Sequence, residues 1–110
     1  RASVNSLAKF SGRRVAIIGD MKELGNHECQ LHFDTGKYIN DMEIDIVVSV
    51  GELCKFLHIG TGKNGFYFKN VEDCVNHIYM FLKQGDTVLV KASRSMHFEK
   101  IVDAINEQFE

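Results

Sequence analysis

At 110 residues, with a formal charge of −2 and 45% apolar and 25% charged residues, the chain has the composition of one soluble globular domain with a single hydrophobic core. These figures exclude a disordered or collagen-like chain, and Lys and Arg scattered singly among acidic residues argue against a nucleic-acid partner. No apolar run reaches the length of a membrane span, so no membrane partner is expected.

In chain order, the opening RASVNSLAKFSG lacks an initiator Met and sets Ala2, Val4, Leu7 and Ala8 in a helical pattern before any capping residue. The sequence is therefore expected to be a piece of a longer polypeptide. Arg14 to Gly19 then reads as a strand, and similar short β-branched runs recur at Asp45 to Val50 and Thr87 to Val90, with a weaker candidate at Phe66 to Phe68. Continuous apolar runs of this kind suit strands buried on both faces.

Between them the period becomes helical. Leu31, Thr35, Tyr38, Ile39 and Met42 share one face of a helix from about His27; Val71, Cys74, Val75, Ile78 and Leu82 form a second; Phe98, Ile101, Val102, Ile105 and Phe109 form the last. Asn26, Asn70 and Ser95 are the candidate N-caps. A shorter helix is predicted from near Glu52, ending before the glycine-rich stretch Gly60 to Gly65. This alternation implies an α/β fold, a mostly parallel sheet with helices on both faces. The exits of the three confident strands, GDMKELG, GELC and KASRS, then lie on one edge, where open α/β sheets bind ligands.

Each exit has a structural and a functional reading. Asp20 suits a turn or cap as well as a site, and Lys22 and Glu23 suit solvated charges. At VKASRS, the hydroxyls of Ser93 and Ser95, the Arg94 guanidinium and the amides of a helix start together suit a carboxylate or phosphate, whereas Ser95 alone suits a cap. GTGKNG lacks the phosphate-loop order and leads into a strand, so it reads as a surface turn. His27, Cys29 and His32 carry metal-binding atoms at a spacing that matches no standard zinc arrangement, and no metal site is expected. Gly36 inside a helix implies a close neighbour, because glycine there costs about 1 kcal/mol relative to alanine. Three widely spaced cysteines, Cys29, Cys54 and Cys74, odd in number and without a signal-peptide pattern, point to a reducing, cytoplasmic setting.

Taken together, GRRVAIIGDMKELG, HFDTGKYI, DIVVSVGEL and GDTVLVKASRSMHFEKIV resemble the C-terminal domain of the Mur ligases, most of all the MurF type. The likeness runs from Ala2 to about Ile105, with Ala92 where the family commonly has glycine. It implies a Rossmann-like single domain, residues 1–110, cut from a three-domain ATP-dependent ligase of cell-wall synthesis. In that family D-alanyl-D-alanine is joined to UDP-N-acetylmuramoyl-tripeptide through an acyl phosphate. ATP and Mg2+ are held mainly by a central domain this chain lacks, so no catalytic residue and no metal ligand is expected here. The matching loops carry over as substrate-binding residues: Asp20, Met21, Lys22 and Glu23 in one, Lys91, Ser93, Arg94 and Ser95 in the other, with His32 on the adjacent helix. Partners implied are the two substrates and the enzyme's own central domain. Two alternatives are a Mur-type domain that adds a single amino acid and a stand-alone α/β binding module.

Overall fold

Four short runs build the sheet: β1 (Arg14–Gly19), β2 (Ile46–Val50), β3 (Gly65–Phe68) and β4 (Thr87–Lys91). They are seen in a computed structural model that describes residues 13–21, 25–42, 44–62, 65–92 and 96–108. The order is β3-β2-β1-β4 and every pairing is parallel, with Val15 opposite both Ile46 and Val88 and Val50 opposite Phe68. β1 is central. Its Val15, Ala16 and Ile17 are wholly shielded from solvent, which is why this strand shows no polar alternation.

Helices cover both faces, as the alternation predicts. After a 3-10 turn at Gly25–His27 comes α1 (Glu28–Asn40), then α2 (Cys54–Thr61), α3 (Val71–Asn76) continued by a 3-10 turn at Ile78–Met80, and α4 (Glu99–Gln108). Alternate strand residues point to opposite layers. Ala16, Ile18 and Val47 pack with Ile39, Cys54 and Leu57 of α1 and α2. Val15, Ile17, Val48 and Val50 pack with Cys74, Ile78, Phe81, Leu82, Phe98 and Ile101 on the other side. The chain winds outward from β1 through β2 to β3 and then returns to the far side of β1 for β4. The winding direction therefore reverses between β1 and β4, the position at which such sheets open a crevice.

Several local expectations are corrected. The buried stripe of α1 is His32, Gly36 and Ile39, while Leu31 is 39% exposed. The cause is the crossing of α1 and α2: a methyl at Gly36 would land on the Leu57 carbonyl, and one at Gly60 on the Phe33 carbonyl. Two glycines let the backbones touch, so His32 and Gly36 lie on the inner side of α1 with Ile39, while Leu31 turns outward. For the same reason Gly60 and Thr61 are buried helix, and only Gly62, with φ of 62°, ends α2 in the left-handed region.

The helix expected over Val71 to Leu82 breaks at His77. There φ is −122°, the ring stacks on Phe68 at 5.6 Å, and the chain tightens so that Ile78, Phe81 and Leu82 all face the core. Asn70 caps α3 as predicted, accepting the Asp73 N–H at 2.9 Å. Asn26 instead sits within the 3-10 turn, and the residue before α1, His27, makes no side-chain cap. α4 starts at Glu99, after His97 takes a φ of 56°. The predicted N-terminal helix and the Ser95 cap lie outside the described residues. No helix among the described residues is long and apolar enough to cross a membrane.

Candidate functional site

At the C-terminal edge of the sheet, β1 ends against its neighbours. A methyl on Gly19 would collide with Phe98 and Ala92, so glycine here lets the β4 exit and the start of α4 close on β1. Asp20 follows, only 5% exposed, and its Oδ1 accepts the Cys54 N–H at 2.9 Å. Cys54 opens α2, whose own N-cap residue, Leu53, supplies no side-chain cap. A carboxylate from another strand thus serves the positive end of that helix.

Gly51, at φ of 120°, brings its Cα onto this carboxylate, where any side chain would collide. Its N–H donates to the Phe68 carbonyl and its carbonyl accepts the Tyr67 hydroxyl, both at 2.9 Å. The Tyr67 hydroxyl titrates above its ordinary range, first because of burial and then because of the Asp20 charge.

The next residue is held by a different helix. The Met21 N–H donates to His32 Nε2 at 3.0 Å, and His32 Nδ1 lies 2.6 Å from the Glu28 carbonyl. His32 is completely buried. Asp20, His32 and Cys54 bring one ligand-type atom each within 4.8 Å of one another. All three are already engaged, since the Cys54 thiol donates to the Ile18 carbonyl at 3.5 Å and burial pushes its titration far up. Of the His27, Cys29 and His32 cluster in the sequence, the first two are exposed and do not share this setting.

Over this edge lies an open cleft of about 470 Å³, within the range of small-molecule sites. The acidic residues Asp20, Glu52 and Glu72 line it together with Lys69, Lys100 and His97. A ligand bearing both charges would find complements for each.

Of the sequence-predicted residues, Asp20 lines the cleft, and Met21 and His32 are bonded to each other. Lys91 is exposed at the end of β4, paired in register with Ile18. Lys22, Glu23, Ser93, Arg94 and Ser95 lie outside the described residues. Sequence reasoning missed Glu52, Lys69, Glu72, His97 and Lys100. The signal was present for three of them: Glu52 stands in the GELC exit, and KNVED, with Lys69 and Glu72, follows the FYF run directly, so that once that run is a parallel strand its exit joins the same edge.

Comparison with known proteins agrees with this architecture. A family profile described as "Mur ligase, glutamate ligase domain" matches residues 1–94. The UDP-N-acetylmuramoyl-tripeptide--D-alanyl-D-alanine ligase of Escherichia coli (strain K12) is 33% identical over 108 residues, covering 96% of this chain and 24% of the relative. The ligase of the same name from Bacillus subtilis (strain 168) is 32% identical over 101 residues, covering 87% and 22%. A crystal structure of MurF from Acinetobacter baumannii superposes with a TM-score of 0.86 at 26% identity, over 96% of this chain and 24% of that one. MurF ligase from Thermotoga maritima in complex with ADP superposes at 0.77, also at 26% identity, over 96% and 24%. The chain therefore spans about a quarter of the length of the relatives it matches. With a parallel sheet that reverses its winding at β1 and a family match over most of its length, the chain belongs to the Mur ligases, as a C-terminal-type domain.

Proposed function

We propose that this chain is the C-terminal domain of an ATP-dependent acid:amino-acid ligase that joins D-alanyl-D-alanine to UDP-N-acetylmuramoyl-tripeptide, and that it supplies the dipeptide side of the active site. One observation carries the reading: the β1 exit is tied down at a sheet edge that opens into a cleft lined by both acidic and basic residues. A dipeptide zwitterion presents one ammonium and one carboxylate, and a site of mixed charge orients it end to end. The names of the relatives support the same substrate pair.

In this reading ATP activates the tripeptide carboxylate as an acyl phosphate, and the dipeptide amine displaces phosphate to form the peptide bond. The chain's own residues bind and orient. Ser93, Arg94 and nearby amides hold the dipeptide carboxylate, with Lys91 and Ser95 of the same stretch, and Asp20 shapes the loop that also carries Lys22 and Glu23 or orients the dipeptide amine. Nucleotide use is supported by the ADP complex of the Thermotoga maritima enzyme. The Asp20, His32 and Cys54 trio does not fit Mg2+, which requires an octahedron of oxygen ligands, because it offers sulfur and imidazole atoms already bonded elsewhere. In this reading Mg2+ and ATP are held mainly by the central domain. A cytoplasmic setting, where ATP and UDP-linked precursors are found, belongs to the same proposal.

The test is Arg94→Ala in the full-length enzyme. We expect KM for D-alanyl-D-alanine to rise about tenfold or more, the scale of one lost charge-assisted contact, with KM for ATP little changed. Parental affinity and turnover for the dipeptide would remove Arg94 from the site.

A further inference from the structure

The two nitrogens of His32 face backbone groups with opposite demands. The Glu28 carbonyl can only accept, so Nδ1 carries the proton; the Met21 amide can only donate, so Nε2 offers its lone pair. The ring is thereby fixed as the neutral Nδ1–H tautomer, in a place with no solvent access. Its neighbour in the chain of contacts, Asp20, is bound to the first amide of α2. Two consecutive residues of the β1 exit are thus tied to two different helices, and those helices are locked together through Gly36 and Gly60.

We propose that His32 is the positioning residue of the dipeptide-binding loop: it acts through the Met21 amide to fix the direction in which the chain leaves β1, without touching substrate. The link to the dipeptide rests on the function proposed above, while the latch stands on geometry alone. The trio of Asp20, His32 and Cys54 serves this latch and not a metal ion. A cation at Nε2 would displace the Met21 N–H, and a thiolate at Cys54 is opposed by burial and by the Asp20 charge.

The experiment compares His32→Leu, which removes the acceptor, with His32→Gln, which keeps an oxygen acceptor at similar reach, both in the full-length enzyme. Hydrogen exchange followed by mass spectrometry reads the segment after β1, with β1 itself as the control for general loosening. For the leucine variant we expect exchange at Met21 and the following loop to speed up about tenfold, the scale of one lost buried hydrogen bond, with β1 unchanged. KM for D-alanyl-D-alanine should rise by a similar factor while KM for ATP stays within about twofold, and the glutamine variant should recover most of both effects.

The inference is overturned if both variants are impaired alike, if loop exchange is unaltered, or if the KM values for both substrates rise together. It also fails if added Zn2+ slows alkylation of Cys54 in the native parental enzyme, which would make the trio a metal centre. Should the parental enzyme not use the dipeptide at all, the proposed function falls, and the exchange comparison alone still decides the latch.

Discussion

Arg13 grips Asp86 with two nitrogens, Nε at 2.9 Å and Nη2 at 2.6 Å, and Nη2 also donates to the Phe81 carbonyl at 2.9 Å. The Lys83 N–H adds a further bond to the same carboxylate at 2.8 Å. These contacts pin the turn before β4 to the residue before β1, so they set the register of the two strands that flank the crevice. The Arg13 hydrogen bonds hold the Asp86 carboxyl below its ordinary value of 3.8, against the opposing effect of burial. A carboxylate whose folded pKa is lowered stabilises the fold above its unfolded pKa and loses that contribution as pH falls through the folded value. Asp86→Asn should therefore cost about 1.5–3 kcal/mol near neutral pH, the range for hydrogen bonds to charged groups. In strong acid the parental carboxyl is itself protonated, and the gap should narrow. Urea denaturation of both proteins at neutral and acid pH checks this, and a gap independent of pH would show that the charge is not what matters.

At the scale of elements, the strands and their exits were legible because buried parallel strands announce themselves as unbroken β-branched runs. Even the weak FYF run proved to be an edge strand, half-buried throughout, which is why its signal was weak. Helix faces were less legible. The count on α1 selected Leu31, Thr35, Tyr38, Ile39 and Met42, of which Ile39 is buried and Met42 packs on the core, while Leu31 is exposed and His32 lies inward beside Gly36, whose close neighbour was expected. Periodicity assumes that large apolar residues face the core, and a backbone-to-backbone crossing leaves room only for small residues at the point of contact. His32 was marked as a candidate site residue by the family resemblance, while its bond to the Met21 amide, made across the fold, could not be read from spacing. Asp20 was legible as a cap or a site residue, but the helix it caps begins 34 positions later. Local spacing carries no trace of such a pairing.

The seam makes a prediction whose sign is decisive. In open space Gly36→Ala would stabilise α1 by about 1 kcal/mol through helix propensity. Here the added methyl meets the Leu57 carbonyl, a backbone atom that cannot swing aside. Overpacking of this kind costs about 1–3 kcal/mol, so the net change should be a loss, measured by chemical denaturation. A stabilised variant would mean that α1 and α2 stand further apart than described.

On the scale of the whole molecule, the three cysteines report on whether the two helical layers open together. Cys54 sits in the layer of α1 and α2, and Cys74 in the opposite layer, both with no solvent exposure. Burial pushes the Cys74 thiol up to about 12, and burial with the Asp20 charge pushes Cys54 up as well, so neither presents a thiolate to reagents near neutral pH. Cys29 is exposed. Alkylation should therefore give one fast site and two slow ones. The shared central sheet, with Val15 and Ala16 of one strand serving opposite layers, predicts that the slow sites open in a single cooperative event. Their protection free energies should coincide and fall with equal slopes as urea is added. If Cys74 became reactive at lower urea than Cys54, the layer of α3 and α4 would be detaching first. The cleft, lined by Met96, His97 and Lys100 at the start of α4, would then open before the latch between α1 and the β1 exit is lost.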